Sequence, residues 1–272
     1  MKLGTLVRPK TAESANDSFR KLAELGFEAC QLAYKPEVFS KIEADTIRAA
    51  ADNNNVEISA HFLGFRDQYT TYDLYWGYLN NGISSPLFQK DRLEYLIRGL
   101  DFVNWLGIED MIIHAGFIPN NPFDKNYQNM VACVRILGNR AKSKGINILF
   151  ETGAESPVTL LRLIKEADTG NLYVNLDTGN SILYGYTDPI AALYTLGSLV
   201  RNIHVKDALP PSDCYHLGEE RALGNGIVDF HRFVKKLKEI GYDRYLIIER
   251  EITGTQQIED ILHAKAFLEK LL

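Results

Sequence analysis

The strongest constraint on the fold is an alternation of strand-like and helix-like segments along the chain. Eight short apolar runs each precede a turn and a segment of helical spacing, at residues 3–7, 29–33, 56–61, 111–114, 146–151, 173–177, 203–206 and 245–249. Most of these runs are continuous aliphatic and β-branched stretches, which is typical of parallel strands covered on both faces. The pattern therefore predicts an α/β protein with a parallel sheet.

The segments between these runs favour closure of the sheet into a barrel. Apolar residues repeat at helical spacing, as at Leu93, Leu96 and Leu100, and several segments end in a glycine just before the next strand. The 272 residues provide 34 for each of eight units, close to the ~30 that a strand and its crossover helix need. We predict a single (β/α)8 TIM barrel over residues 1–272. The alternative is a doubly wound open sheet, but the first predicted strand lacks the glycine-rich turn expected there.

One connection is much longer than the others. Residues 62–89 follow the third predicted strand and contain Tyr69, Tyr72, Tyr75, Trp76 and Tyr78. Long connections in compact domains tend to be lids or binding loops, and this one leaves the carboxyl end of its strand. We expect a lid over the active site in which Trp76 contacts the substrate. The alternative is that the aromatic residues only pack the loop onto the barrel.

Charge and cysteine content limit the partners of the chain. It has 30 Lys and Arg against 35 Asp and Glu, for a net charge of −5, so we expect no nucleic-acid partner. The three cysteines are far apart and are expected to be free thiols in a reducing compartment. No apolar segment reaches membrane-spanning length, and the start of the chain has no apolar signal core. We expect a cytoplasmic protein with no membrane partner, and a homo-oligomer stays open.

Acidic and imidazole side chains recur at the carboxyl ends of the predicted strands. From the third strand to the eighth they are His61, His114, Glu151, Asp177, His204 and Glu249. TIM-barrel enzymes place their catalytic groups at this edge. The recurrence therefore predicts an active site at these strand ends.

Four of these residues predict a metal site. Glu151, Asp177, His204 and Glu249 supply three carboxylates and an imidazole, which cannot converge deprotonated without a cation. We predict one divalent metal ion held by these four residues. The oxygen-rich ligands favour Mn²⁺ first, with Mg²⁺, Co²⁺ and Zn²⁺ as alternatives.

The residues around the strand ends also resemble a known superfamily. The matching segments are IHAG at 113–116, FETG at 150–153, NLDTGN at 175–180, IHVKD at 203–207, LGNGIVDF at 223–230 and IERE at 248–251. In this order they resemble the xylose-isomerase-like barrels, and within them the sugar phosphate isomerase/epimerase group. That group includes ketose 3-epimerases, inosose dehydratases and hydroxypyruvate isomerases. The resemblance spans nearly the whole chain and is specific for the fold and the metal site, but not for the substrate.

The resemblance implies a metal-dependent isomerase or epimerase of carbohydrate metabolism, acting on a sugar or sugar-like α-hydroxy ketone. Glu151 and Glu249 would bind the metal and also exchange protons with the substrate through an enediolate. Substrate contacts are expected from His61, His114, Asn180, Lys206, Arg250 and Trp76. For the two histidines the alternative is a structural, hydrogen-bonded role at the rim.

Asn180 departs from the family pattern, because many relatives carry a histidine at this position. The departure weakens a specific assignment to the ketose 3-epimerases, and a metal-dependent dehydratase of a keto-polyol is the alternative reaction. An abasic-site endonuclease needs a three-zinc cluster, and both Asn180 and the acidity of the chain disfavour it. Asp229 and His231 match one ligand motif of those endonucleases only in part. A non-catalytic sugar-binding barrel is the remaining alternative.

The turn Gly224-Asn225-Gly226 follows the seventh predicted strand, where many barrels bind phosphate on backbone amides. Lys206, Arg221 and Arg250 would assist such binding. The alternative, which we prefer, is a tight turn after which Asp229 caps the next helix. Whether the substrate is phosphorylated therefore stays open.

Overall fold

The strands of the computed structural model form a closed barrel. The model describes residues 1–67 and 69–272. The barrel strands are β1 (Lys2–Val7), β2 (Ala29–Leu32), β3 (Glu57–Phe62), β4 (Asp110–His114), β5 (Asn147–Glu151), β6 (Leu172–Asp177), β7 (Val200–Val205) and β10 (Tyr245–Ile248). In the described residues these eight strands are hydrogen-bonded in the order β1-β10-β7-β6-β5-β4-β3-β2, and every pair is parallel. The predicted (β/α)8 TIM barrel is confirmed.

Helices connect the strands on the outside of the barrel. They are α1 (Ala15–Glu24), α2 (Lys41–Asn53), α3 (Gly77–Asn80), α4 (Gln89–Leu106), α5 (Lys125–Lys142), α6 (Pro157–Ala167), α7 (Asn180–Leu183), α8 (Pro189–Leu196), α9 (Phe230–Glu239) and α10 (Thr255–Glu269). None of the helices in the described ranges is both long enough and apolar enough to cross a membrane.

The helix boundaries follow from local capping. Ser40 and Ser156 accept hydrogen bonds from backbone amides at the starts of α2 and α6, which satisfies donors that the helix itself leaves free. At the other end of α4, Gly107 adopts φ 73°, a left-handed conformation that a side chain would disfavour. The predicted glycine stop before β4 is therefore present.

The barrel encloses a polar layer. Gln31 Nε2 donates to Asn175 Oδ1 at 3.1 Å, and Asn202 Nδ2 donates to Ser59 Oγ at 3.1 Å. Each pair joins strands on opposite sides of the barrel, β2 with β6 and β3 with β7, so these side chains point into its interior. All four are buried, and mutual hydrogen bonding offsets the cost of removing them from water. The main apolar cluster combines residues of the strands and of the outer helices. A smaller one, Ala60, Ile112 and Leu149, belongs to three adjacent strands.

Two features differ from the sequence-based expectation. A hairpin of β8 (Asp207–Leu209) and β9 (Glu219–Arg221) follows β7 outside the barrel. Its strands are too short to leave a periodic pattern in the sequence. β7 also begins at Val200, three residues before the predicted start at 203. The prediction missed the start of the strand because polar residues lie just before its apolar segment. The connection between β3 and α4 spans residues 63–88 and contains the short helix α3.

Candidate metal centre and substrate cavity

The carboxyl ends of four strands bring the four predicted metal ligands together. Glu151 and Asp177 end β5 and β6, His204 is next to last in β7, and Glu249 directly follows β10. One ligand atom from each residue lies within 4.8 Å of the others, and all four side chains are buried. Parallel strands start and end at common edges, so residues distant in the chain meet here. The group is of a kind that can hold a metal ion.

Hydrogen bonds orient His204 toward the carboxylates. Its Nδ1 atom lies 2.7 Å from Glu151 Oε1, 3.1 Å from Glu249 Oε2 and 3.5 Å from Asp177 Oδ2. Its Nε2 atom lies 2.6 Å from the amide oxygen of Gln31. That oxygen can only accept, so Nε2 carries the proton and Nδ1 is the ring nitrogen available to a metal.

The carboxylates meet the requirement of a cation site. Glu151 Oε2, Asp177 Oδ2 and Glu249 Oε2 are buried, and none has an aligned hydrogen-bond donor among the described residues. Asp177 Oδ1, by contrast, accepts from the backbone amides of Gly179 and Asn180 at 2.8 and 2.7 Å. Buried anionic oxygens without donors are costly unless a cation neutralises them. Three carboxylate oxygens and one imidazole nitrogen therefore fit a divalent ion.

We call the cluster of Glu151, Asp177, His204 and Glu249 the metal centre. Three basic side chains flank it. Lys206 Nζ lies 3.0 Å from Glu249 Oε2 and 3.3 Å from Asp177 Oδ2. Arg8 donates to Glu249 Oε1 at 3.1 Å, and His114 Nδ1 lies 2.8 Å from Glu151 Oε2. The two glutamates thus differ, since Glu249 faces two permanent cations and Glu151 faces an imidazole.

Without a metal ion, the surrounding charges shift the pKa values of Glu151, Glu249 and His204 toward the charged form. Burial opposes ionisation of Glu151, but His114 and His204 lower its pKa to about 2. Burial also opposes ionisation of Glu249, whose pKa Lys206 and His204 hold well below the usual value. For His204, the carboxylates of Glu249 and Glu151 outweigh burial and raise the pKa well above 6.5. Without a metal ion, His204 therefore holds a proton while Glu151 and Glu249 stay ionised.

A cavity of about 1050 Å³ opens at the metal centre. Of the predicted site residues it is lined by His114, Glu151, Asn180, Glu249 and Arg250. The Arg250 guanidinium is held by Asp260 at 2.7 Å and Glu220 at 3.3 Å, outside the metal centre. Asn180 accepts from Lys206 Nζ at 3.2 Å. These side chains can contact a ligand in the cavity.

The structure does not bring His61, Lys206 and Trp76 to the cavity wall. His61 is fully buried, its Nε2 lies 2.7 Å from the Tyr34 carbonyl oxygen, and burial lowers its pKa to about 4. The structural alternative therefore describes His61 better than a substrate contact does. Lys206 is buried among carboxylates, and Trp76 is 57% exposed against Tyr75. In the same loop Tyr72 lines the cavity, with its ring 5.8 Å from that of His114.

Several residues at the site were not expected from the sequence. They are Arg8, Gln31, Glu155 and Glu251, and all except Gln31 line the cavity. Gln31 lies near the end of β2, so its position at a strand end is the one feature of the sequence that could have predicted it as a site residue. Burial raises the pKa of the Glu155 carboxyl to about 8, and this side chain is therefore neutral at pH 7.

The Gly224-Asn225-Gly226 turn surrounds a protein carboxylate. Asp207 Oδ2 accepts from the amides of Gly224 and Gly226, both at 2.9 Å, and Asp207 Oδ1 accepts from Val228 at 3.1 Å. A side chain at Gly226 would collide with the Asp207 carboxylate. The amides that a phosphate would need are already used, so the tight-turn interpretation holds.

Asp229 and His231 do not join the metal centre. Asp229 Oδ1 accepts from the Arg232 amide at 3.0 Å and so caps α9. The His231 ring lies 6.1 Å from Phe267. The sequence that partly resembles an endonuclease ligand motif is therefore the N-terminal cap of α9.

The fold and the site together define a TIM barrel with a buried carboxylate and histidine cluster at the carboxyl ends of its strands. The chain belongs to the xylose isomerase-like TIM barrel family, whose sequence model matches residues 19–271. The resemblance inferred from the strand-end segments is therefore confirmed.

Individual relatives extend this comparison. An uncharacterized protein of Methanocaldococcus jannaschii is 25% identical over 288 residues, covering 100% of this chain and 89% of the relative. An inosose dehydratase of Lacticaseibacillus casei is 24% identical over 204 residues, covering 64% of this chain and 68% of the relative.

Solved structures share the fold over the whole chain. A xylose isomerase domain protein from Planctomyces limnophilus superposes with a TM-score of 0.91 at 29% identity, covering 99% of this chain and 96% of that one. D-psicose 3-epimerase from Clostridium cellulolyticum H10, solved with D-tagatose, has a TM-score of 0.71 at 17% identity, covering 100% and 99%. At that identity the likeness is one of fold.

Proposed function

We propose that the chain is a divalent-metal-dependent enzyme that isomerises or epimerises a sugar or sugar-like α-hydroxy ketone. The observation that carries the proposal is the convergence of Glu151, Asp177, His204 and Glu249 beside a large cavity that Glu151 and Glu249 line. One oxygen of each carboxylate lacks an aligned hydrogen-bond donor among the described residues. The epimerase and dehydratase relatives support an enzyme on sugar-like substrates.

The same four residues are the proposed metal ligands, with Mn²⁺ favoured by their mostly oxygen donors. A divalent ion bound there supplies a fixed positive charge that polarises a ketone oxygen and acidifies the neighbouring carbon-bound hydrogen. Asp177 and His204 are held by hydrogen bonds on their far sides, which favours a purely ligating role.

Glu151 and Glu249 are the proposed proton-transfer groups. Both are ionised and line the cavity, so each can accept a proton from substrate carbon. His114 Nδ1 lies 2.8 Å from Glu151 Oε2. Burial lowers the pKa of His114, but the nearby carboxylates of Glu151 and Glu249 raise it overall. His114 can therefore hold a proton next to Glu151 during the reaction.

Hydrogen exchange at carbon tests the proposal. The Mn²⁺-loaded chain is incubated with a panel of ketoses and inososes in deuterated water, and products are followed by NMR. Isomerisation or epimerisation incorporates deuterium next to the ketone without loss of water. Glu151→Gln and Glu249→Gln should lower the exchange rate by about 10²–10⁴-fold, whereas Glu94→Gln, on the exposed face of α4, should not. Sugar binding without exchange would favour a non-catalytic barrel.

A dehydratase is the second candidate, favoured by the similarity to an inosose dehydratase over 64% of the chain. The first step would be the same removal of a proton next to the ketone. Expulsion of a neighbouring hydroxyl would then replace reprotonation. The same NMR experiment separates the two, because dehydration yields an unsaturated ketone and water.

The domain organisation and the lid are also retained as proposals. We propose that residues 1–272 act as one domain and that 62–89 close over bound substrate. Tyr72 of this segment lines the cavity, and Tyr78 stacks on Phe117 with ring centroids 4.1 Å apart. The segment thus has contacts on both the cavity side and the barrel side.

A further inference from the structure

The cavity continues from the metal centre into a crevice between α1 and α10. Its lining runs from Glu249 past Arg8 to Leu22 of α1, to Leu25 directly after that helix, and to Ile258 and Ile261 of α10. The polar side chains of Lys21 and Gln257 also line it. The crevice reaches the mouth of the barrel between β1 and β10, which are paired neighbours. The combined volume of about 1050 Å³ lies at the upper end of the range for sites that take drug-sized ligands. A free hexose is smaller than such ligands and would fill only the part next to the metal centre.

The crevice exists because α10 packs on the barrel through its second half. Among the described residues of α10, the buried ones are Ala264 and Leu268. In its first half Ile258 is 47% exposed, and Ile261 is half-buried. Leu6 and Leu25 on the facing wall are also half-buried. A concave surface with partly hydrated aliphatic side chains gains free energy when an apolar ligand covers it.

We propose that this crevice is a binding subsite for an apolar group attached to the sugar. The substrate class is then a glycoside or similar derivative with an aliphatic or aromatic substituent, rather than a free monosaccharide. The inference rests on the proposed function, because the sugar part is taken to lie at the metal centre. Continuity of the cavity past Arg8, whose guanidinium contacts Glu249 at 3.1 Å, favours one ligand that occupies both regions.

Unreactive glycosides of increasing chain length test the subsite. Methyl, butyl, hexyl and octyl β-D-glucoside lack a ketone, and their binding to the Mn²⁺-loaded chain is measured by calorimetry below micelle formation. Each methylene that enters the crevice should tighten binding by about two- to fourfold. Equal dissociation constants for the methyl and octyl compounds would overturn the proposal.

A matched pair of variants locates the effect. Ile261→Trp adds bulk inside the crevice, whereas Leu262→Trp adds the same bulk at the next position, which is 39% exposed and outside the lining. The octyl over methyl preference should disappear in Ile261→Trp and persist in Leu262→Trp. If the preference persists in both variants, the alkyl chain of the ligand binds elsewhere and the proposed subsite is wrong. Circular dichroism of both variants confirms that they fold.

The subsite and the proposed function fail separately. If free ketoses exchange deuterium and the alkyl chain length has no effect on binding, the proposed function is supported and the proposed subsite is wrong. If alkyl chain length affects binding but neither free ketoses nor keto-glycosides exchange deuterium, the crevice binds apolar groups and the proposed function is wrong. A shift to dimers in size-exclusion chromatography, abolished by Ile261→Trp, would instead assign the crevice to a second copy and overturn the subsite.

Discussion

The Nε2 atom of His204 lies 2.6 Å from the amide oxygen of Gln31, while the other ring nitrogen, Nδ1, faces the carboxylates. Gln31 is held in turn by Asn175 at 3.1 Å. This contact assigns the proton of the neutral imidazole to Nε2 and leaves Nδ1 for a metal ion. Gln31 is thus a positioning residue for the metal centre.

Gln31→Leu should weaken Mn²⁺ binding by about 10–100-fold, because the imidazole loses its orienting acceptor. The readout is the dissociation constant from calorimetry, with the thermal midpoint as a check on folding. Ser59→Ala removes another buried interior polar side chain, one that bonds Asn202 instead of His204. Equal metal affinity in Gln31→Leu and Ser59→Ala would contradict the positioning role.

Metal binding should release a proton. In the metal-free protein, Glu249 and Glu151 outweigh burial and keep His204 protonated well above pH 6.5. A metal ion at Nδ1 must displace that proton, so apparent affinity rises with pH until the folded-state pKa is passed. Calorimetry at pH 7 in two buffers of different ionisation enthalpy should report release of about one proton. A buffer-independent enthalpy would show that His204 is already neutral.

Glu155 should make stability depend on pH. Burial raises its pKa from 4.5 to about 8 in the folded chain. Between these values the unfolded state has lost a proton that the folded state keeps, so stability falls as pH rises. Relative to Glu155→Gln, the native chain should lose up to about 4 kcal/mol of unfolding free energy between pH 5 and pH 8. Urea titrations at both pH values measure this, and parallel curves for the two proteins would rule it out.

The proposed lid should act through Tyr72 rather than Trp76. Tyr72 lines the cavity beside His114, whereas Trp76 contacts Tyr75 at the exposed surface. Tyr72→Ala should raise KM by about tenfold through lost aromatic contact, and Trp76→Ala should stay within about twofold. Steady-state kinetics on any substrate found by deuterium exchange compares the two. A larger effect from Trp76→Ala than from Tyr72→Ala would support the sequence-based prediction that Trp76 contacts the substrate.

Much of the site could be predicted because parallel strands impose a common edge. Once the strands were placed, Glu151, Asp177, His204 and Glu249 were expected to meet at the carboxyl end of the barrel, and they do. Their charges led to the prediction of a bound cation. The same logic named His61, which also lies near a strand end. Strand-end position does not determine which way a side chain points, however, and Nε2 of His61 contacts the Tyr34 carbonyl oxygen.

The amino-acid sequence alone determined the barrel and the acidic cluster at its catalytic edge. Both depend on local periodicity and on charges that cannot be buried unpaired. Only the tertiary structure decided that Gln31 orients His204, that Asp207 fills the glycine turn, and that α10 leaves a crevice beside α1. These features arise from neutral or distant groups whose partners come close only when the chain is folded. A sequence pattern records charge and spacing, but not which side chain reaches across the barrel.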